Sequence, residues 1–306
     1  MHLTSILLHP AFVAMTALFL SVLWMLKDPT DKIRPMLVFA LVLNLFYGFL
    51  LTMLMGREGS LFPWKYDHIL FAIDESLGLE AARIAGPLQG FWRVPLWVVY
   101  QSMIPAMIGW FLVTRNRQRD GSVVLAYVAE LATGPIVYAL LPACGPFYAF
   151  GLEWLNPPAV SAVPVRLAAM PNAFPSLHVA TALVLLLFAP GKWWRALSVA
   201  LLVGTCMATL STGEHYVIDL VAGLAFGLFA ANVGFKRFRR ALVFLAVVCA
   251  WSLTVRFGHS FLIGHSMATR SLAALTVLLA VGEIVKEWST HPRPAANPAA
   301  AQAVLN

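Results

Sequence analysis

Nine apolar stretches, at residues 6–26, 35–55, 92–113, 122–141, 174–189, 195–211, 216–234, 241–257 and 266–285, follow one another with short connections. Each is long enough to approach the roughly 30 Å of a bilayer's hydrocarbon core, the shorter ones only if neighbours bury their ends. A backbone in lipid must satisfy its own hydrogen bonds, so such runs predict helices. The expected fold is all-α, a polytopic transmembrane helical bundle of about nine spans whose central six form the catalytic core. Only 11% of the 306 residues are charged and 60% are hydrophobic, which excludes a soluble domain, where about a quarter would be charged.

The first run has no basic segment before it and is followed by Lys27 and Asp28 instead of a small-residue cleavage site. It is therefore expected to stay as a span and not to act as a signal peptide. No repeat of 20 to 50 residues is visible, and the spans leave no room for a soluble domain. Residues 1–288 are read as one membrane domain, with the catalytic core at about 92–234. Within the segment 56–91, Ile69, Leu70, Phe71, Ile73, Leu77 and Leu79 recur at helical spacing among Asp67, Asp74, Glu75 and Glu80. This pattern fits a helix on the membrane interface or packed against the bundle. Residues 289–306, rich in Pro and Ala, read as a disordered tail. Cys144, Cys206 and Cys249 lack paired or metal-like spacing, so they are expected to be small buried hydrophobes.

A net charge of +7 and a pI near 9.6 would suit a nucleic-acid binder, but the charge is distributed otherwise. Fourteen basic residues fall on one side: Lys27, Lys32, Arg34, Arg115, Arg117, Arg119, Lys192, Arg195, Lys236, Arg237, Arg239, Arg240, Lys286 and Arg293. Seven fall on the other: Arg57, Lys65, Arg83, Arg93, Arg166, Arg256 and Arg270. Basic short loops stay cytoplasmic, so the N-terminus is expected outside and the C-terminus inside, in a bacterial inner membrane or its equivalent. The charge encodes topology, and no nucleic-acid partner is expected.

The outer loop 142–173 carries Pro142, Pro146, Pro157, Pro158, Pro164 and Pro171, which restrict its backbone. It leads into Phe174-Pro175-Ser176-Leu177-His178. Pro175 suits a first helical turn, whose free N–H groups and dipole attract anions, and the Ser176 hydroxyl adds a donor to a phosphate oxygen. At the next outer span start stands Gly213-Glu214-His215-Tyr216-Val217-Ile218-Asp219. The four-residue spacing of His215 and Asp219 sets the carboxylate beside the imidazole, where it can take the Nδ1 proton and leave Nε2 nucleophilic. Asp219 lies in an otherwise apolar run, where an ionisable group usually serves function. Both span starts face the same side, so His178 and His215 can meet, one as nucleophile and one as proton donor.

These two segments match the second and third signatures of the type 2 phosphatidic acid phosphatase superfamily, Pro-Ser-x-His and His-x3-Asp. The wording, with Gly145-Pro146-Phe147-Tyr148, resembles most the inositolphosphotransferase branch, which includes inositol phosphorylceramide synthases. The resemblance covers about residues 60–230 and implies that His215 is the nucleophile, Asp219 its partner and His178 the general acid. Two departures stand out. Ala208 and Thr209 occupy the Ser-Arg positions of the third signature, and the first signature occurs only late, as Lys286 to Arg293-Pro294, on the expected cytoplasmic side. Candidate phosphate ligands are therefore Ser176, Arg166, Gly145, Tyr148 and Arg270, with Arg256 as a further cation; Arg166 is best placed, in the loop that leads to His178. His259 and His265 read as interfacial.

The expected activity is transfer of a phosphoryl group from a lipid phosphate or phosphodiester through a phosphohistidine, to an alcohol or lipid acceptor. It needs no metal and no cofactor, and its partners are the lipid substrate, the acceptor and the membrane. The alternatives are a lipid phosphate phosphatase, of polyprenyl phosphate or phosphatidic acid type, and a proton-coupled transporter. The topology is directly testable. A reporter fused after residue 306 should be active only in the cytoplasm, and Asn156→Cys should react with an impermeant reagent from outside. The reverse labelling would put the histidines inside.

Overall fold

The computed structural model describes residues 61–103, 106–107, 109–110 and 123–290. The expected spans at 6–26 and 35–55, part of 92–113 and the tail from 291 onwards lie outside these residues. Among the described residues there are ten α-helices: α1 (Asp67–Leu77), α2 (Ala81–Ala85), α3 (Arg93–Gln101), α4 (Val123–Leu140), α5 (Pro146–Phe150), α6 (Leu177–Leu187), α7 (Gly191–Ser211), α8 (Val217–Gly234), α9 (Phe238–Gly264) and α10 (Ser266–Thr290). A two-stranded antiparallel ribbon joins β1 (Trp64–Lys65) to β2 (Val165–Arg166), with Trp64 opposite Arg166.

Among the described residues five helices, α4, α7, α8, α9 and α10, are long and apolar enough to cross a membrane. The segment 174–189 differs for a physical reason. Its helix α6 starts only at Leu177 and has 11 residues, about 16 Å of rise, short of the bilayer core. Every residue from Val179 to Leu187 is nevertheless buried, so α6 is a core helix wrapped by its neighbours. Pro190, which has no N–H to donate, separates it from α7.

Helix α8 is apolar all round and mostly buried, as a central helix must be. It packs against α4, α6, α9, α10 and α1. Its approach to α6 depends on glycine: a Cβ on Gly223 would stand 2.7 Å from the Ser176 carbonyl oxygen, and one on Gly227 the same distance from that of Ala180. Small residues let two backbones come this near, and lipid-embedded helices gain much of their affinity from such packing. A hydroxyl–carboxylate hydrogen bond from Thr181 to Glu130 ties α6 to α4 inside the bundle.

The proline-rich loop is tied down along its length. Tyr66 N donates to Pro142 O at 2.9 Å, Leu167 N to Pro63 O at 3.0 Å, and Ala173 N to Ala143 O at 2.9 Å. Helix α1 rests on α9 and α10 through Ile69, Leu70, Ile73 and Leu77. Asp67 and Asp74 of the same helix are completely buried. Cys144 is buried, whereas Cys206 and Cys249 are half-buried, and all three are free thiols.

Gly223→Ala should push α6 and α8 apart, because the obstructing atom is backbone and cannot swing away. We expect a loss of about 1 to 3 kcal/mol, read as a lower midpoint of thermal unfolding in detergent. Gly282→Ala, where an added Cβ meets nothing within 4 Å, serves as the control and should leave the midpoint unchanged. Equal midpoints for the two variants would contradict the close packing.

Candidate active site

Ser176 is the N-cap of α6, and its hydroxyl accepts from Val179 N at 3.4 Å. Pro175 thus precedes the cap and does not sit in the first turn. His178, the second residue of α6, lies at the exit of that cap, half-buried, with its ring stacked on Tyr100 at 4.2 Å between centroids and 24° between planes. Sequence reasoning did not single out Tyr100, an aromatic residue among many in an apolar run.

His215 occupies the loop between α7 and α8 and is 3% exposed. Its Nδ1 lies 2.8 Å from the Ala173 carbonyl oxygen and 3.5 Å from Asp219 Oδ2. A carbonyl only accepts, so Nδ1 carries the proton and Nε2 keeps its lone pair. The proton that sequence spacing directed to Asp219 therefore has Ala173 as its nearer acceptor. Asp219 Oδ2 also accepts from Tyr216 N at 2.8 Å, which fixes the turn that presents His215. The rings of His178 and His215 stand 6.1 Å apart at 68°. Burial pushes the His215 imidazole down to about 4, against the opposing pull of Glu214 and of the Ala173 hydrogen bond, so it is neutral near pH 7.

Two carboxylates of α1 organise this region from outside the motifs. Asp67 Oδ1 accepts from Gly145 N at 2.8 Å, Cys144 N at 3.1 Å and the Tyr216 hydroxyl at 3.2 Å. Asp74 accepts from Val217 N at 2.7 Å and Ile218 N at 3.0 Å, capping α8 immediately after His215. Burial raises both carboxyls, Asp67 to about 6 and Asp74 well above the usual range, in opposition to these donors. The signal for them was present in the sequence: acids seven residues apart, on the apolar face of an amphipathic helix.

The Gly145 element packs against the same loop. Gly145 has φ +93°, and a Cβ there would meet the Glu214 carbonyl oxygen at 2.3 Å, so only glycine fits. Phe147 N donates to Gly213 O at 2.9 Å, and the Tyr148 hydroxyl donates to Glu214 Oε1 at 3.2 Å. The structure thus brings Ser176, His178, His215, Asp219, Gly145 and Tyr148 into one neighbourhood. The arginines are placed differently. Arg166 is exposed on β2, Arg270 Nε donates to Ser76 O at 3.3 Å, and Arg256 donates to Leu140 O at 2.8 Å. Thr209, at the signature position of an arginine, bonds its own helix at Cys206 O, 3.1 Å away. His265, stacked on Phe261 at 4.6 Å, is exposed at the end of α9, and His259 is half-buried on the same helix.

A profile of the PAP2 superfamily matches residues 68–233, more than half of the chain, from the second residue of α1 to the last but one of α8. Neither curated proteins nor solved structures gave a match. The matched range contains both histidines, Asp219, the Gly145 element and Asp74, and begins one residue after Asp67. The chain belongs to the PAP2 superfamily of membrane phosphatases and phosphotransferases, which act on phosphate esters.

Proposed function

We propose that this chain is an integral-membrane phosphotransferase that attacks a lipid phosphate or phosphodiester with His215 and passes the phospho group to an alcohol or lipid acceptor, as inositolphosphotransferases do. The observation that carries the reading is the hydrogen bond from His215 Nδ1 to Ala173 O, because it commits the ring to the tautomer whose Nε2 is the free base. With His178 6.1 Å away between centroids, a phosphorus atom between the rings has a nucleophile on one side and a proton donor on the other. Asp219 Oδ2, 3.5 Å from Nδ1, stabilises the positive charge that the imidazole acquires as the P–N bond forms. Ser176 and the first N–H groups of α6 receive the phosphate oxygens. Arg166 is the candidate cation, since its side chain is exposed on the loop that leads to His178, while Arg256 and Arg270 are engaged with carbonyls. The site faces the outer side of the membrane.

The roles of the two histidines separate by leaving group. His215→Ala should abolish turnover with every substrate, because no neighbouring group is placed to replace a nucleophile oriented by Asp219. His178→Ala should lose about 10² to 10⁴-fold on a lipid ester with an alkoxide leaving group, but far less on a nitrophenyl phosphate, which departs without a proton. Equal inactivity of His178→Ala on both, with His215→Ala rescued by the activated ester, would reverse the assignment. Phosphate release that needs no alcohol would favour a phosphatase.

The acid limb of the rate profile follows from the buried imidazole. Neutral His215 is the reactive form, and it is lost as pH falls through about 4. With a nitrophenyl phosphodiester, which does not titrate in this range, kcat/KM should hold to about pH 5 and fall below it. A limb near 6.5, the value of an ordinary histidine, would show that the nucleophile is solvated.

A further inference from the structure

We propose that Glu214 and Tyr148 form the subsite for the incoming hydroxyl group, with the Glu214 carboxylate as the base that takes its proton when the phosphohistidine breaks down. The inference rests on His215 being the nucleophile and assigns the second half of the reaction.

Glu214 precedes His215 in the chain but, unlike it, is only half-buried. Tyr148, 45% exposed, donates to its Oε1 at 3.2 Å. Oε2 has no hydrogen-bond partner among the described residues. The backbone under the pair is held firmly. Gly145 sits so near the Glu214 carbonyl that a Cβ would stand 2.3 Å from it, and Phe147 N bonds to Gly213 O at 2.9 Å.

In-line displacement requires the leaving group to depart, and the acceptor to arrive, opposite Nε2 of His215, on the side of His178. The Tyr100 ring that stacks on His178 at 4.2 Å is within electrostatic reach of both Glu214 and Tyr148. Half-buried Glu214 and 45%-exposed Tyr148 are more open to solvent than His215, so the acceptor hydroxyl is assigned to them. Burial holds the Glu214 carboxyl above its ordinary range, in spite of His215 and the Tyr148 hydrogen bond, which makes it a stronger base than a solvated glutamate.

The step balances without another reactant. The hydroxyl oxygen of an alcohol or water attacks phosphorus as the P–Nε2 bond breaks, and the electron pair returns to Nε2. The hydroxyl proton passes to Glu214. The product is the new phosphate ester with an alcohol and the free phosphate compound with water. The rival base is His178, neutral once it has protonated the leaving group.

The two bases are separable in purified full-length protein with nitrophenyl phosphate as donor and ethanol or trifluoroethanol as acceptor. Glu214→Gln keeps the shape of the side chain and an oxygen for Tyr148. Its single-turnover release of nitrophenol should match the parent in rate and its burst should be at least as large, while breakdown of the phosphoenzyme slows by about 10² to 10⁴-fold. The deficit should be smaller with trifluoroethanol, whose more acidic hydroxyl needs less help, than with ethanol. Tyr148→Phe should raise the KM for ethanol by a larger factor than the KM for nitrophenyl phosphate. Breakdown at the parental rate in Glu214→Gln, loss of the burst, or the same deficit with both alcohols would overturn the assignment. A parent enzyme with no acid-labile phosphoenzyme would instead refute His215 as nucleophile, and this inference with it.

Discussion

One backbone hydrogen bond joins the two halves of the site. Ser176 N donates to Asp219 O at 3.1 Å, so the first turns of α6 and α8 are fastened to each other at the point where His178 and His215 are presented. The bond forms because Gly223 brings the helices to backbone contact one turn further on. A larger residue there would separate the rings whatever their own identity. In a bundle whose apolar side chains gain little by leaving lipid, such close contacts and buried hydrogen bonds set the geometry.

Around this contact the protein spends charged side chains on backbone groups. Asp74 caps α8, Asp67 gathers the backbone at Cys144 and Gly145 with the Tyr216 hydroxyl, and Asp219 caps Tyr216. Each satisfies donors that a helix start or tight loop would leave orphaned in an apolar setting. The loop from Gly213 to Tyr216 is consequently held from three directions. Pre-organisation of this kind is what phosphoryl transfer asks of a protein, since the chemistry itself needs mainly positioning and charge stabilisation.

Much of this was legible in the sequence. Helical apolar runs announced an all-α membrane protein, and the two histidines with Asp219 were readable because their spacing is local to single helix starts. Longer-range partners were not. Nothing in the order of residues says that Ala173 O would stand nearer to His215 Nδ1 than Asp219 does, because that contact depends on how a proline-rich loop returns to the bundle. Asp67 and Asp74 share the apolar face of α1 with Leu70 and Leu77, but the backbone groups that they meet there emerge only when α1 docks on α8 and α9. The run at 174–189 read as a span because composition cannot tell a short buried helix from a membrane-crossing one; its length can, once Ser176 is seen to cap it. Arg256 and Arg270 were candidate phosphate ligands by charge and side of the membrane, while their carbonyl partners, Leu140 and Ser76, lie far along the chain.

The central claim is that His215 bonds to phosphorus. Rapid acid-free quenching of the purified protein with a phosphorus-labelled substrate, followed by proteolysis and mass spectrometry at alkaline pH, tests it directly. The account predicts an acid-labile, alkali-stable phosphate on the peptide that contains His215, at Nε2 of that ring. Label on His178 or on a carboxylate, or turnover with no phosphopeptide at any quench time, would contradict it.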